Sequence, residues 1–257
     1  MSRRNQRQIL TALRRAAPHP LLPAAVRPVA AALLASCVAV TAILGAWLTH
    51  QTGGDWLDDA VDSRFMASLG SHWTVLDHLA RLGGPIPVTS MTAALLLACV
   101  LTRRWRGAAL LTIAVPAAAA LTEFALKPLI GRTLAGELSF PSGHTTGVFA
   151  VAASVAVLLI DPPRWRMPAA LRVFLALSAL AVATAVAIAL VSLHIHYFTD
   201  TVGGAAVGAA VVLATAFILD SFMSGSNDGH SRSHPPAPAR AAPDTPAAPE
   251  SRASAGP

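Results

Sequence analysis

Residues 28–48 read PVAAALLASCVAVTAILGAWL, an unbroken run with no charge. As a helix it would be roughly 30 Å long, the thickness of a bilayer's hydrocarbon core. It follows a basic segment, 1–27, that carries Arg3, Arg4, Arg7, Arg14, Arg15 and Arg27 and no acid. A secretory h-region is shorter, roughly 7–15 residues, and ends at a small-residue cleavage site. This run is longer and is followed by Thr49-His50-Gln51, so it reads as an uncleaved spanning helix.

Working outward, further apolar runs lie at 86–102, 107–126, 147–160, 173–193 and 201–219. Each approaches spanning length, the run at 147–160 if its helix starts near Ser142. The expectation is an all-α fold, a six-transmembrane-helix bundle. Composition agrees: 54% of the 257 residues are hydrophobic, 12% are charged, and the mean hydropathy is +0.57. A soluble domain carries about 25% charged residues.

The organisation expected is a basic segment 1–27, a membrane domain 28–220, and a tail 221–257. The tail is rich in Pro, Ala, Ser and Gly and too polar to bury a core, so it reads as disordered. Residues 51–84 hold Asp55, Asp58, Asp59, Asp62 and Asp77, with apolar residues at near-helical spacing. They read as short amphipathic helices at the membrane surface, or as a solvated loop.

The net charge of +6 does not point to nucleic acid, because the basic residues sit between apolar runs. With the N-terminus cytoplasmic, 15 of the 19 Lys and Arg fall in inside segments, leaving Arg64, Arg81, Lys127 and Arg132 outside. That asymmetry is the positive-inside pattern, and it places both termini in the cytoplasm. Cys37 and Cys99 lie inside apolar runs and read as packing residues, without disulfide, zinc or redox chemistry. Oligomeric state is not readable.

Two segments at outer span ends break the apolar pattern. One runs from Glu123 through Lys127 and Arg132 to Pro141-Ser142-Gly143-His144; the other is His194-Ile195-His196-Tyr197-Phe198-Thr199-Asp200. In the first, serine can cap a helix whose N-terminal N–H groups attract a phosphate, with His144 in the same turn. Glu123 lies four residues before Lys127, close enough on a helix to pair with it. In the second, His196 and Asp200 are spaced so that a carboxylate can orient an imidazole. Taken singly, each also reads as a capped helix start, a snorkelling span end or core polar packing.

Together, Lys–Arg, Pro-Ser-Gly-His and His-x3-Asp on the outer ends of a six-span chain resemble the type 2 phosphatidic acid phosphatase (PAP2) superfamily, over roughly residues 55–215. The resemblance implies a PAP2/haloperoxidase-like helical core and a membrane phosphatase acting on a lipid-linked phosphate or diphosphate at the extracytoplasmic face. It implies that His196 attacks phosphorus to give a phosphohistidine, that Asp200 orients it, and that His144 protonates the leaving oxygen and later activates water. Lys127, Arg132, Ser142 and the Gly143 backbone would hold the phosphoryl oxygens. No metal or other cofactor is needed, and the expected partners are the lipid phosphate and membrane lipids.

The sequence departs from the family pattern in its arginines. The first motif expects Arg-Pro where Leu134 and Ala135 stand, and the third opens Ser-Arg where Ala189 and Leu190 stand. Arg132 occupies an earlier place where many members also carry arginine. His194, if protonated, would supply one positive charge, and Arg64 or Arg81 would reach the site only by folding over it. The alternative reading is a degenerate protein that binds lipid phosphate without turnover. A transporter would place charges nearer the midplane and pair its broken helices, whereas Pro116 is the one mid-span breaker. Vanadate-dependent halide oxidation, known from soluble relatives, fits a membrane-embedded chain poorly.

Overall fold

The computed structural model describes residues 20–160 and 167–231. Most of the basic segment, the Arg164-Trp165-Arg166 cluster and most of the tail lie outside the described residues.

Among the described residues eight helices carry the fold: α1 Arg27–Trp47, α2 Trp56–Leu69, α3 Trp73–Leu82, α4 Pro85–Leu101, α5 Trp105–Ile130, α6 Gly143–Ile160, α7 Ala169–Ser192 and α8 Phe198–Ser231. Five of these (α1, α5, α6, α7 and α8) are long and apolar enough to cross a membrane. A sixth span results if α2–α3 and α4, bent by 55°, count as one. The all-α, multi-pass architecture read from the sequence is therefore present. The last helix runs on past the expected boundary at 220, to Ser231.

α8 is the centre of the bundle. It packs along α6 and α1 and also touches α5, while α6 packs on α7 and α5. The α6–α8 contact is close because glycine removes the side chain where the backbones meet. A Cβ on Gly204 would lie 2.5 Å from the Ser142 carbonyl oxygen, and one on Gly208 2.5 Å from that of Thr146. Small residues four apart allow such approach between membrane helices. α3 lies against α7, and α2 reaches both α7 and α8. The amphipathic helices expected over 51–84 are thus α2 and α3.

The hydrophobic core is built mostly from Ala, Val and Leu, including Leu110, Ala114, Ala150, Val186 and Val212. At one end of the bundle, arginines close the C-terminus of α6, Arg104 donating to the Leu158 carbonyl and Arg172 to Leu159 and Ile160, while Arg106 donates to the Leu219 carbonyl within α8. Cations complement the partial negative charge there. The opposite end gathers the C-termini of α1, α3, α5 and α7 and the N-termini of α6 and α8. Between α5 and α6 a small hairpin, β1 Thr133–Leu134 and β2 Glu137–Leu138, pairs antiparallel, turning through Ala135 and Gly136 at positive φ.

Candidate active site

The end of the bundle opposite those arginines holds a cavity of about 900 Å³. Its ionisable lining residues are Glu123, Lys127, Glu137, His144 and His196; Gly143 and Leu134 also line it. The two imidazoles come from the first turn of α6 and the loop before α8. Their ring centroids are 6.0 Å apart and the rings are tilted by 59°. Residues 52 positions apart in the chain therefore converge on one space.

The α6 start explains why His144 points there. Ser142 caps the helix: its Oγ accepts from the Thr145 N–H at 3.3 Å and from the Thr145 hydroxyl at 3.1 Å. Its own N–H donates to the Asp200 carbonyl at 3.0 Å, which ties the start of α6 to the start of α8. Ser142 is fully buried and its hydroxyl is used in the cap. Ser142, expected to hold phosphoryl oxygens, thereby places Gly143 and His144, and it is not among the residues that line the cavity.

His196 precedes α8 rather than lying on it. Its Nδ1 is 3.7 Å from Asp200 Oδ2, beyond hydrogen-bond distance, and this buried nitrogen has no hydrogen-bond partner among the described residues. Asp200 is held from behind. Oδ1 accepts from Arg132 Nη1 at 2.7 Å, and Oδ2 accepts from the Tyr197 N–H at 3.2 Å, the reach-back typical of an acid at the third helical position. Such gaps often tighten when a ligand binds.

Arg132, expected among the groups that hold the phosphoryl oxygens, is engaged elsewhere. Its side chain is fully buried and lies away from the cavity. Nη1 donates to Asp200 and to the Thr199 hydroxyl at 2.7 Å, and Nη2 donates to Asp58 and to the Gly53 carbonyl. The guanidinium also stacks 4.4 Å above the Tyr197 ring. A guanidinium so engaged has no fork left for a phosphoryl group. His194 is exposed, sits edge-on to Tyr197 with centroids 5.8 Å apart, and is not among the residues that line the cavity.

Asp58 and Asp62 are the site residues that the sequence reading left in an acidic surface stretch. Asp58 is fully buried and accepts from the Thr199 N–H at 2.9 Å and from its hydroxyl at 3.1 Å, besides Arg132. Asp62 accepts from the Phe198 N–H. Two carboxylates of α2 thus satisfy the first free N–H groups of α8, where negative charge is favoured. Burial, with Asp58 nearby, pushes the Asp62 carboxyl up to about 7, against the pull of the Phe198 N–H. Burial likewise raises the Tyr197 phenol despite Arg132. The signal in the sequence was the spacing of Asp58 and Asp62, one helical turn apart on one face.

The family's arginine positions are not refilled. Leu134 stands in the cavity wall, and Ala189 and Leu190 are buried in the last turn of α7. Arg64 is exposed, Arg81 makes an exposed pair with Asp77, and neither lines the cavity. Among the described residues Lys127 is the one lysine or arginine in its wall, and no group of three His, Cys, Asp or Glu side chains is placed to hold a metal ion.

The comparisons with known proteins fall on this same region. Residues 120–223 match the model of the PAP2 superfamily, and every residue the sequence singled out for chemistry lies within them. Nothing matches among curated proteins. The crystal structure of a transmembrane PAP2-type phosphatidylglycerolphosphate phosphatase from Bacillus subtilis superposes with a TM-score of 0.58 at 21% identity, covering 78% of this chain and 98% of that one. Residues 120–223 therefore carry the PAP2-superfamily pattern, in a helical bundle whose fold a solved membrane PAP2 phosphatase shares.

Proposed function

We propose that the chain hydrolyses a phosphate or diphosphate ester of a membrane lipid at the extracytoplasmic face, through a phosphohistidine on His196. The observation that carries this reading is the convergence of His144, His196 and Lys127 on one cavity, with the imidazole centroids 6.0 Å apart. Since Nδ1 of His196 turns toward Asp200, Nε2 is the nitrogen left for phosphorus. It forms the N–P bond as the P–O bond to the lipid alcohol or, in a diphosphate, to the lipid monophosphate breaks, and protonated His144 gives its proton to the departing oxygen. Neutral His144 then takes a proton from water, whose oxygen attacks phosphorus, releasing phosphate and restoring His196. Asp200 stabilises the charge on His196 as the intermediate forms, and Arg132 holds Asp200.

The shape of the cavity favours a lipid. From the histidines it continues between α4 and α5 along Val88, Leu96, Leu111, Val115 and Ala119. From Lys127 back to Leu111 is roughly 24 Å of helix, most of a hydrocarbon core. A headgroup at the histidines would leave its chain in that groove. Phosphatidate, phosphatidylglycerol phosphate and polyprenyl diphosphate all meet this description.

One observation favours the second reading, a lipid-phosphate-binding protein without turnover: the cavity wall holds one lysine, already paired with Glu123, against two carboxylates. The test is phosphate release from a lipid panel by the detergent-purified chain, in the presence of chelator. Release lost in both His196→Ala and His144→Ala supports hydrolysis; release by both variants equal to that of the unaltered chain removes it.

A further inference from the structure

α5 leaves regular helix geometry over one turn, Leu121–Leu126, which is a π-turn with the Lys127 N–H donating to the Thr122 carbonyl. A wide turn inserts one residue and rotates the rest of the helix by about 100°, and such turns gather at functional sites. Glu123 lies in this turn and Lys127 directly follows it, both in the cavity wall, with Lys127 Nζ donating to Glu123 Oε2 at 2.8 Å. The other oxygen, Oε1, lies against the first residue of α6, so close that a Cβ on Gly143 would collide with it. The carboxylate therefore rests between the one lysine of the described wall and the N-terminal turn of α6, beside His144 and His196. A helix N-terminus and a lysine are what a phosphoryl group would seek in this cavity. A negatively charged side chain already occupies the place.

We infer that Glu123 is an internal competitor for the phosphoryl position: its carboxylate holds Lys127 and the α6 N-terminus until an anion displaces it. This rests on the reading of the cavity as a phosphoryl site. Free phosphate must expel the carboxylate with nothing but its own charge, whereas a lipid phosphate brings the binding energy of its chain in the groove. Glu123 thus lowers every phosphate affinity by the same factor, which leaves soluble phosphates, including the phosphate product, weakly held while a lipid substrate still binds through its chain. The side chain is 45% exposed and Lys127 is 15% exposed, so the carboxylate can swing outward while the lysine stays.

A bland role for the same pair predicts the opposite sign. If Glu123 only steadies Lys127, removing its charge leaves phosphate binding unchanged or weaker. The test is orthophosphate binding to the full chain in detergent, by calorimetry, for the unaltered protein, Glu123→Gln and Glu123→Ala. Glu123→Gln keeps a hydrogen-bond acceptor for Lys127 and removes the charge. Both variants are expected to bind orthophosphate about tenfold tighter, the effect of removing one partly screened like charge. KM for a short water-soluble phosphate ester and KM for a long-chain lipid phosphate should fall together, by a similar factor. Binding unchanged or weaker in both variants, with lipid hydrolysis intact, overturns the competitor and leaves the phosphatase. Absence of both orthophosphate binding and lipid hydrolysis in all three proteins overturns both.

Discussion

The two ends of the apolar span of α8, Phe198–Phe222, are built from the same parts and do different work. At one end Asp220, 3% exposed, accepts from the Leu21 and Leu22 N–H groups at 2.9 Å and from Arg106 at 2.9 Å, with Arg27 at 3.7 Å. At the other Asp200, fully buried, accepts from Arg132, and Asp58 completes the pair. Both are buried carboxylate–arginine clusters that fix a helix end. What separates them is the next neighbour. Asp220 meets backbone N–H groups and guanidinium groups of the chain itself, whereas Asp200 is neighboured by His196, whose buried Nδ1 has no hydrogen-bond partner among the described residues and whose ring lines a cavity. A polar cluster becomes a site when one member is left unfinished toward open space.

The sharpest way to break this comparison is to remove one member from each end. His196→Ala should lower turnover by about 10^4-fold or more while leaving the thermal midpoint nearly unchanged, because a nucleophile carries the reaction and not the fold. Asp220→Ala should do the reverse. It leaves two buried N–H groups without their acceptor and takes the carboxylate away from Arg106, a loss of about 3–5 kcal/mol. The turnover number of the protein that stays folded should hold. Rate assays beside detergent melting curves read both, and a site-like loss of turnover in Asp220→Ala would erase the distinction.

The spans were legible because each is a property of some twenty consecutive residues: the runs expected from 86, 107 and 201 begin as helices at Pro85, Trp105 and Phe198. His144 and His196 were legible because their surroundings are local, a capped helix start and a histidine four residues before an acid. Arg132 was not, since its role is decided by Asp58, 74 residues earlier, and nothing near Arg132 announces that partner. The acids of α2 looked like a solvated face for the same reason. Their charge is opposed by a guanidinium and by helix N–H groups that belong to other parts of the chain. The hairpin at 133–138 was missed because Ala135, not glycine or asparagine, takes the first left-handed position.

A smaller effect sharpens what Arg132 does. Lysine keeps the charge but cannot present a planar fork to Asp58, Asp200 and Thr199 together. Arg132→Lys should cost about 2 kcal/mol of stability and reduce kcat, since Asp200 then holds His196 less well. KM and orthophosphate affinity should stay near their original values. A change confined to KM would instead return Arg132 to the phosphoryl clamp, where the sequence first placed it.

The mildest prediction concerns Asp62, which stands beside Asp58 yet makes no ion pair of its own among the described residues. Its carboxyl ionises at about 7 in the folded chain, against an ordinary value of 3.8. Between those values the folded state holds a proton that the unfolded chain has released, so the contribution of Asp62 to stability is greatest below about pH 4. It falls as pH rises and is gone above about 7. An asparagine in its place would carry no charge at any pH, and its side-chain oxygen could still accept from the Phe198 N–H. Asp62→Asn should therefore melt close to the unaltered protein near pH 4 and progressively above it toward about pH 8, with turnover near pH 6 little changed. A midpoint difference that is flat across that range would mean the carboxyl is already ionised and paired, and would move Asp62 from the helix-capping role into the Arg132 network.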